Sequence, residues 1–93
     1  MYKHTITRVR PNADVQWPGE TDGGVVINSK YKLTNTKILS DDGLTKQAIR
    51  QSEDSSVFTS IESDLADSSS DLYWITAYCT TNGITTTFAT EEV

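Results

Sequence analysis

Nucleophilic catalysis needs a Ser, Cys or Thr beside a base that a third group orients, and this chain offers one histidine, His4, and one cysteine, Cys79. They stand at opposite ends of the sequence, and neither lies in a motif that would activate it. His4 is expected as a partly exposed strand residue and Cys79 as a buried helix residue, where a free thiol behaves as a small hydrophobe. One cysteine closes no intrachain disulfide, and a single His and Cys are too few for a Cys/His zinc site. Six acids run from Glu53 to Asp71 without an intervening base, and hard cations take such oxygens. Their spacing lacks the D-x-[DN]-x-[DN]-G loop, so helix-terminus and solvating roles account for Asp64, Asp67 and Asp71. Gly23-Gly24 is not followed by the Gly-Lys-Ser/Thr of a phosphate loop. No catalytic residue, cofactor or metal site is expected, and the protein is not expected to be an enzyme.

The charges are the more informative feature. All eight basic residues precede position 51 and eight acids follow it, so the net charge is +3 over residues 1–50 and −8 over 51–93. A basic end and an acidic end on one small domain favour head-to-tail self-association or docking on a charged partner. The competing reading is that these charges solvate helix and strand surfaces. A total of −5 opposes phosphate, so nucleic acid is not an expected partner. No stretch approaches the ~18 apolar residues of a membrane span, and Met1–Arg10 lacks the apolar run of a secretory signal. At 93 residues, one domain spanning 1–93 is expected. A chain this short buries only about 60–65% of its unfolded surface, so oligomerisation would help it.

Several elements must position these side chains. Tyr2–Arg10 is rich in β-branched and aromatic residues and stops at Pro11, which marks a strand; Ile6 and Val9 fall on opposite faces, which suggests a bulge or a strand covered on both sides. Residues 11–24, with two prolines and three glycines, read as an irregular arm. Its Trp17 either anchors the arm to the core or contacts a partner. From Val25 to Thr36 a strand at VVIN competes with a short helix through Val26, Ser29, Lys30 and Leu33, and a helix is the reading adopted for the second half of the stretch. Residues 36–51 read as a hairpin turning at Asp42-Gly43. Ser52–Ser55 opens an amphipathic helix through Val57, Phe58, Ile61 and Leu65. Residues 72–81 admit either a strand turning at Asn82-Gly83 or a helix opened by a Ser68/Asp71 capping box and closed by Gly83. The helix is the reading adopted, followed by a strand from Ile84 to Thr90 with Ile84 and Phe88 on one side. That order makes the fold α+β, an antiparallel sheet of about four strands with helices on one face in ferredoxin-like (split β-α-β) order.

Three segments, HTITRVRPN, SDDGLTKQAIRQ and AYCTTNGITTTFATEEV, resemble the short uncharacterised proteins encoded by tailed phages of marine bacteria. Those share a TRxRP start, a DGLT turn and an AYNxxNGIT end, with Asn more often where Cys79 stands. The resemblance covers about 40 of the 93 residues. It implies a phage product, a virion component or small accessory protein in the host cytoplasm or the particle, and it carries over no functional residues.

The leading expectation is a structural or interaction protein whose partner is itself, as a homo-oligomer, or another protein of a phage particle. Trp17, Arg8, Arg10, Asp64 and Asp67 are the candidate interaction residues. A small intracellular regulator binding a host protein through its acidic half is the alternative. A dimeric α+β-barrel enzyme is the third reading, and it would need a pocket between sheet and helices lined by Trp74, Tyr78 and Phe88 with His4.

Overall fold

The computed structural model describes residues 1–18, 25–33, 36–40 and 43–93; residues 19–24 of the expected arm and Asp42 of the expected turn lie outside them. The chain is α+β. In order it forms β1 (Tyr2–Val9), α1 (Val25–Tyr31), β2 (Thr36–Ser40), β3 (Thr45–Ser52), α2 (Ser56–Ala66), α3 (Tyr73–Thr81) and β4 (Thr85–Glu92). The strands lie in one sheet in the order β2-β3-β1-β4, every neighbouring pair antiparallel.

β1 runs straight through the sheet. It pairs residue for residue with β3 from Tyr2↔Ser52 to Val9↔Thr45 and with β4 from Tyr2↔Glu92 to Val9↔Thr85. This corrects the expected bulge, and the expected double covering as well, because Val9 is 40% exposed. The inward positions of β1 are His4, Ile6 and Arg8. Two of the three are polar, so the strand's period-two burial is hidden from its hydrophobic pattern. β3 repeats the arrangement with Ala48 and Arg50 inward, opposite Ile6 and His4.

The core is built on that face. Ile6 packs with Ile27 of α1, Phe58, Ile61 and Leu65 of α2, and Leu72 and Ile75 at α3. α2 buries three of the four apolar positions read from its spacing, and Val57 is partly buried. α1 is a helix from Val25, so VVIN is not a strand. Its fully buried residue is Ile27, which the expected Val26–Leu33 face did not include.

Local polar chemistry sets the helix ends. Asp54 Oδ1 accepts hydrogen bonds from the Ser56 N–H at 2.9 Å and the Ser56 hydroxyl at 2.7 Å, which satisfies an otherwise orphaned donor of α2's first turn. The fork at residues 72–81 resolves as a helix, and its end explains why. Gly83 takes φ +71°, the Ile84 N–H reaches the Cys79 carbonyl at 2.9 Å and the Gly83 N–H reaches Thr80 at 3.4 Å. Those are the two bonds of a Schellman ending. The expected Ser68/Asp71 capping box does not form: Ser70 Oγ accepts the Leu72 N–H at 3.1 Å, while Asp71 is drawn to Lys30 at 2.6 Å.

Candidate functional site

A pocket of about 280 Å³ opens between β1 and β4 on one side and α2 and α3 on the other. Leu65, Ile75, Ile84 and Phe88 give it apolar walls; Arg8, Glu62, Cys79 and three threonines supply its polar groups. The sheet places Arg8 and Phe88 on the same face, since Phe88 pairs with Ile6 and Thr86 with Arg8. Successive turns of α2 bring Glu62 and Leu65 to the opposite wall.

Behind Glu62 lies His4. Its ring is completely buried, stacked on Phe58 at 4.8 Å and on Phe88 at 5.9 Å between ring centres. This corrects the expectation of a partly exposed His4. The two aromatic faces enclose the imidazole, and Nε2 lies 2.9 Å from Glu62 Oε2. Burial lowers the His4 pKa below 6.5, outweighing the opposing pull of Glu62. The ring is therefore neutral at pH 7 and donates Nε2–H to the carboxylate. Nδ1 has no hydrogen-bond partner among the described residues.

Next to it across the ladder, Arg50 is 1% exposed and donates Nε–H to Asn28 Oδ1 at 2.7 Å. Its burial and the neighbouring charge of Arg8 lower its pKa to about 10. Cys79 is buried in α3 and faces the pocket, but the His4 bond runs to Glu62. Among the described residues no base is hydrogen-bonded to the thiol. The arrangement offers apolar walls and polar groups to a bound molecule.

The sequence-derived residues scatter over the molecule. Arg8 is 6% exposed and belongs to the pocket. Arg10 and Trp17 form a separate cluster. The Arg10 guanidinium lies 4.9 Å from the Trp17 ring centre, Lys46 Nζ lies 5.2 Å from it, and Arg10 also donates to the carbonyls of Val15 at 2.8 Å and Gly43 at 2.7 Å. The Tyr78 hydroxyl donates to Gln16 O at 2.7 Å. Trp17 is thus held half-buried against Arg10 and Lys46. Asp64 accepts hydrogen bonds from Lys30 at 2.8 Å and from the Tyr31 hydroxyl, and these hold its carboxyl below the usual range. Asp67 ends α2 and accepts from the Ser69 N–H and hydroxyl.

Of the pocket imagined from sequence, only Phe88 is a lining residue. Trp74 is 47% exposed, Tyr78 holds the arm, and His4 lies behind Glu62. Arg8 and Glu62 were not recognisable as neighbours, because their meeting depends on β1 lying beside α2 in space. Among the described residues no group of three His, Cys, Asp or Glu side chains is placed to hold a metal ion, and no helix is long and apolar enough to cross a membrane.

The second exposed feature is a sheet edge. Among the described residues β4 pairs with β1 along one side only, and seven of its eight side chains are exposed. In comparisons with protein families, with curated proteins and with solved structures, nothing matches the chain.

Proposed function

We propose that this chain is a non-enzymatic structural or interaction protein, a small virion component or accessory protein of a phage, that works in repeated copies or against another protein of the particle. The phage assignment rests on the resemblance of the three sequence segments. In the same reading the antiparallel order β4-β1-β3-β2 with helices inserted after β1 and β3 is the ferredoxin-like, split β-α-β arrangement.

The observation that carries the interaction role is the β4 edge. An edge strand presents a row of unpaired N–H and C=O groups, and proteins that stay apart blunt it with Lys, Pro, bulges or shortness. β2, at the other edge of the described sheet, is short, with five residues. β4 has eight residues, TTTFATEE, with no Pro and with its charges confined to Glu91 and Glu92 at one end, and its register with β1 is unbroken.

Association through the edge leaves less for the opposed charges to do. Lys3 pairs with Glu91 and Lys30 with both Asp64 and Asp71, each joining the basic half to the acidic half of the same chain. The solution mass by light scattering at low and high salt tests the proposal. An oligomer that persists in salt is expected, and a monomer of 10.3 kDa at both would overturn the repeated-copy role.

A second reading, a small-ligand site, is favoured by the pocket with Arg8 and Glu62 in its walls. Titrating small aromatic carboxylates while following tryptophan fluorescence tests it, and a flat response removes it.

A further inference from the structure

We propose that β4 is the seam of a symmetric dimer, pairing antiparallel with β4 of a second copy so that Phe88 meets Phe88 on the two-fold axis. This rests on the interaction role above and names its partner and register.

Residues 85–90 of β4 carry no charge, proline or bulge of the kind that keeps an edge apart, and this stretch fits a second copy of itself. An antiparallel pairing about a two-fold axis normal to the sheet keeps both sets of helices on one face. Residues that meet must then both point inward or both outward, which limits the axis to passing through a single residue of the strand. Phe88 is 38% exposed, and no other residue of β4 is a large apolar one. Centring on it places two aromatic rings in a cross-strand pair, one of the favourable pairings on a sheet face. Thr86 then meets Thr90, Thr87 meets Ala89 and Thr85 meets Glu91, so no acid faces an acid. Centring on Thr87 or Ala89 sets Phe88 against a threonine. Moving the axis to Thr90 sets Glu92 against Phe88, and to Glu91 sets two carboxylates opposite each other, which is unfavourable. Within β4, centring on Phe88 is the register that pairs its one large apolar side chain with another large apolar one.

Cross-strand partners lie within disulfide reach, so the register can be read by oxidation. An equimolar mixture of Thr86→Cys and Thr90→Cys chains should form a covalent dimer on mild oxidation, several-fold above either variant alone, with circular dichroism checking that each keeps the wild-type fold. If Thr86→Cys does not fold, Thr85→Cys with Glu91→Cys, both exposed and facing each other in this register, replaces the pair. Self-cross-linking of Ala89→Cys or Thr87→Cys, or a mixture no better than its controls, overturns the Phe88-centred register. Light scattering on the wild-type chain separates the two levels: an oligomer with the wrong cross-links rejects this register alone, whereas a monomer rejects the repeated-copy role with it.

Discussion

His4 Nε2 lies 2.9 Å from Glu62 Oε2 while the imidazole is closed off from solvent between Phe58 and Phe88. Because burial lowers the His4 pKa below 6.5, the unfolded chain takes the proton first. Stability is therefore complete above pH 6.5 and falls as the pH drops from 6.5 towards the folded value, with a slope of at most about 1.4 kcal/mol per pH unit. Glu62 opposes the shift and Arg50 reinforces it. Urea unfolding at a series of pH values should show this loss, and His4→Gln should abolish it. The contribution of Asp54, Asp64 and Asp67, whose carboxyls are held below 3.8, is lost only at lower pH, as it falls through their folded values.

Trp17 is fixed by Arg10 and Lys46. Trp17→Ala removes both cation–π contacts and part of the arm's burial, so it should cost about 1–2 kcal/mol while leaving the oligomer mass unchanged. A variant that unfolds no more easily but dissociates would make Trp17 a partner contact.

Gly83 holds a left-handed conformation that an L side chain adopts at a cost. An added Cβ would meet Pro11 Cγ at 3.6 Å, an ordinary contact, so the penalty is conformational. Gly83→Ala should destabilise by about 1 kcal/mol, lowering Tm by about 4–8 °C in a thermal melt. No change in Tm would mean that the α3 ending carries no such constraint.

Ile27 is wholly buried in the core cluster. Ile27→Ala should cost about 2–5 kcal/mol, a large part of the roughly 5–15 kcal/mol available to a domain, measured by chemical denaturation. A cost under about 1 kcal/mol would place α1 outside the cooperative core.

That residue also marks where sequence reading stops. α2 was legible because Phe58, Ile61 and Leu65 repeat at helical spacing. α3 was legible because Gly83 follows Asn82 where a helix needs a left-handed residue. α1 has only seven residues, too few for its period to separate Ile27 from Val26. On β1 and β3 the buried face carries His4, Arg8 and Arg50 beside Ile6 and Ala48, and a hydrophobic pattern does not register polar residues that turn inward. The wall position of Phe88 followed from its strand; the approach of Arg8 and Glu62 is set by tertiary packing between elements far apart in the chain.

The charge asymmetry had the opposite fate, visible at once in the sequence and then absorbed by the fold. Hydrogen bonds from Lys30 to Asp64 and Asp71 raise the lysine's pKa, and the same ammonium joins α1 to the acidic half. Lys30→Ala should lower the melting temperature more at low salt than at high salt, because screening weakens what the pair contributes. An equal loss at both would assign the effect to side-chain packing.

The central claim is that the outward edge of β4 is covered by a second copy, and amide hydrogen exchange reads that edge directly. Alternate amides between Thr85 and Glu92 point away from β1. The expected result is protection of these amides at high protein concentration and its loss on dilution, while the amides bonded to β1 stay protected throughout. Outward amides that exchange at the unprotected rate at every concentration would contradict it.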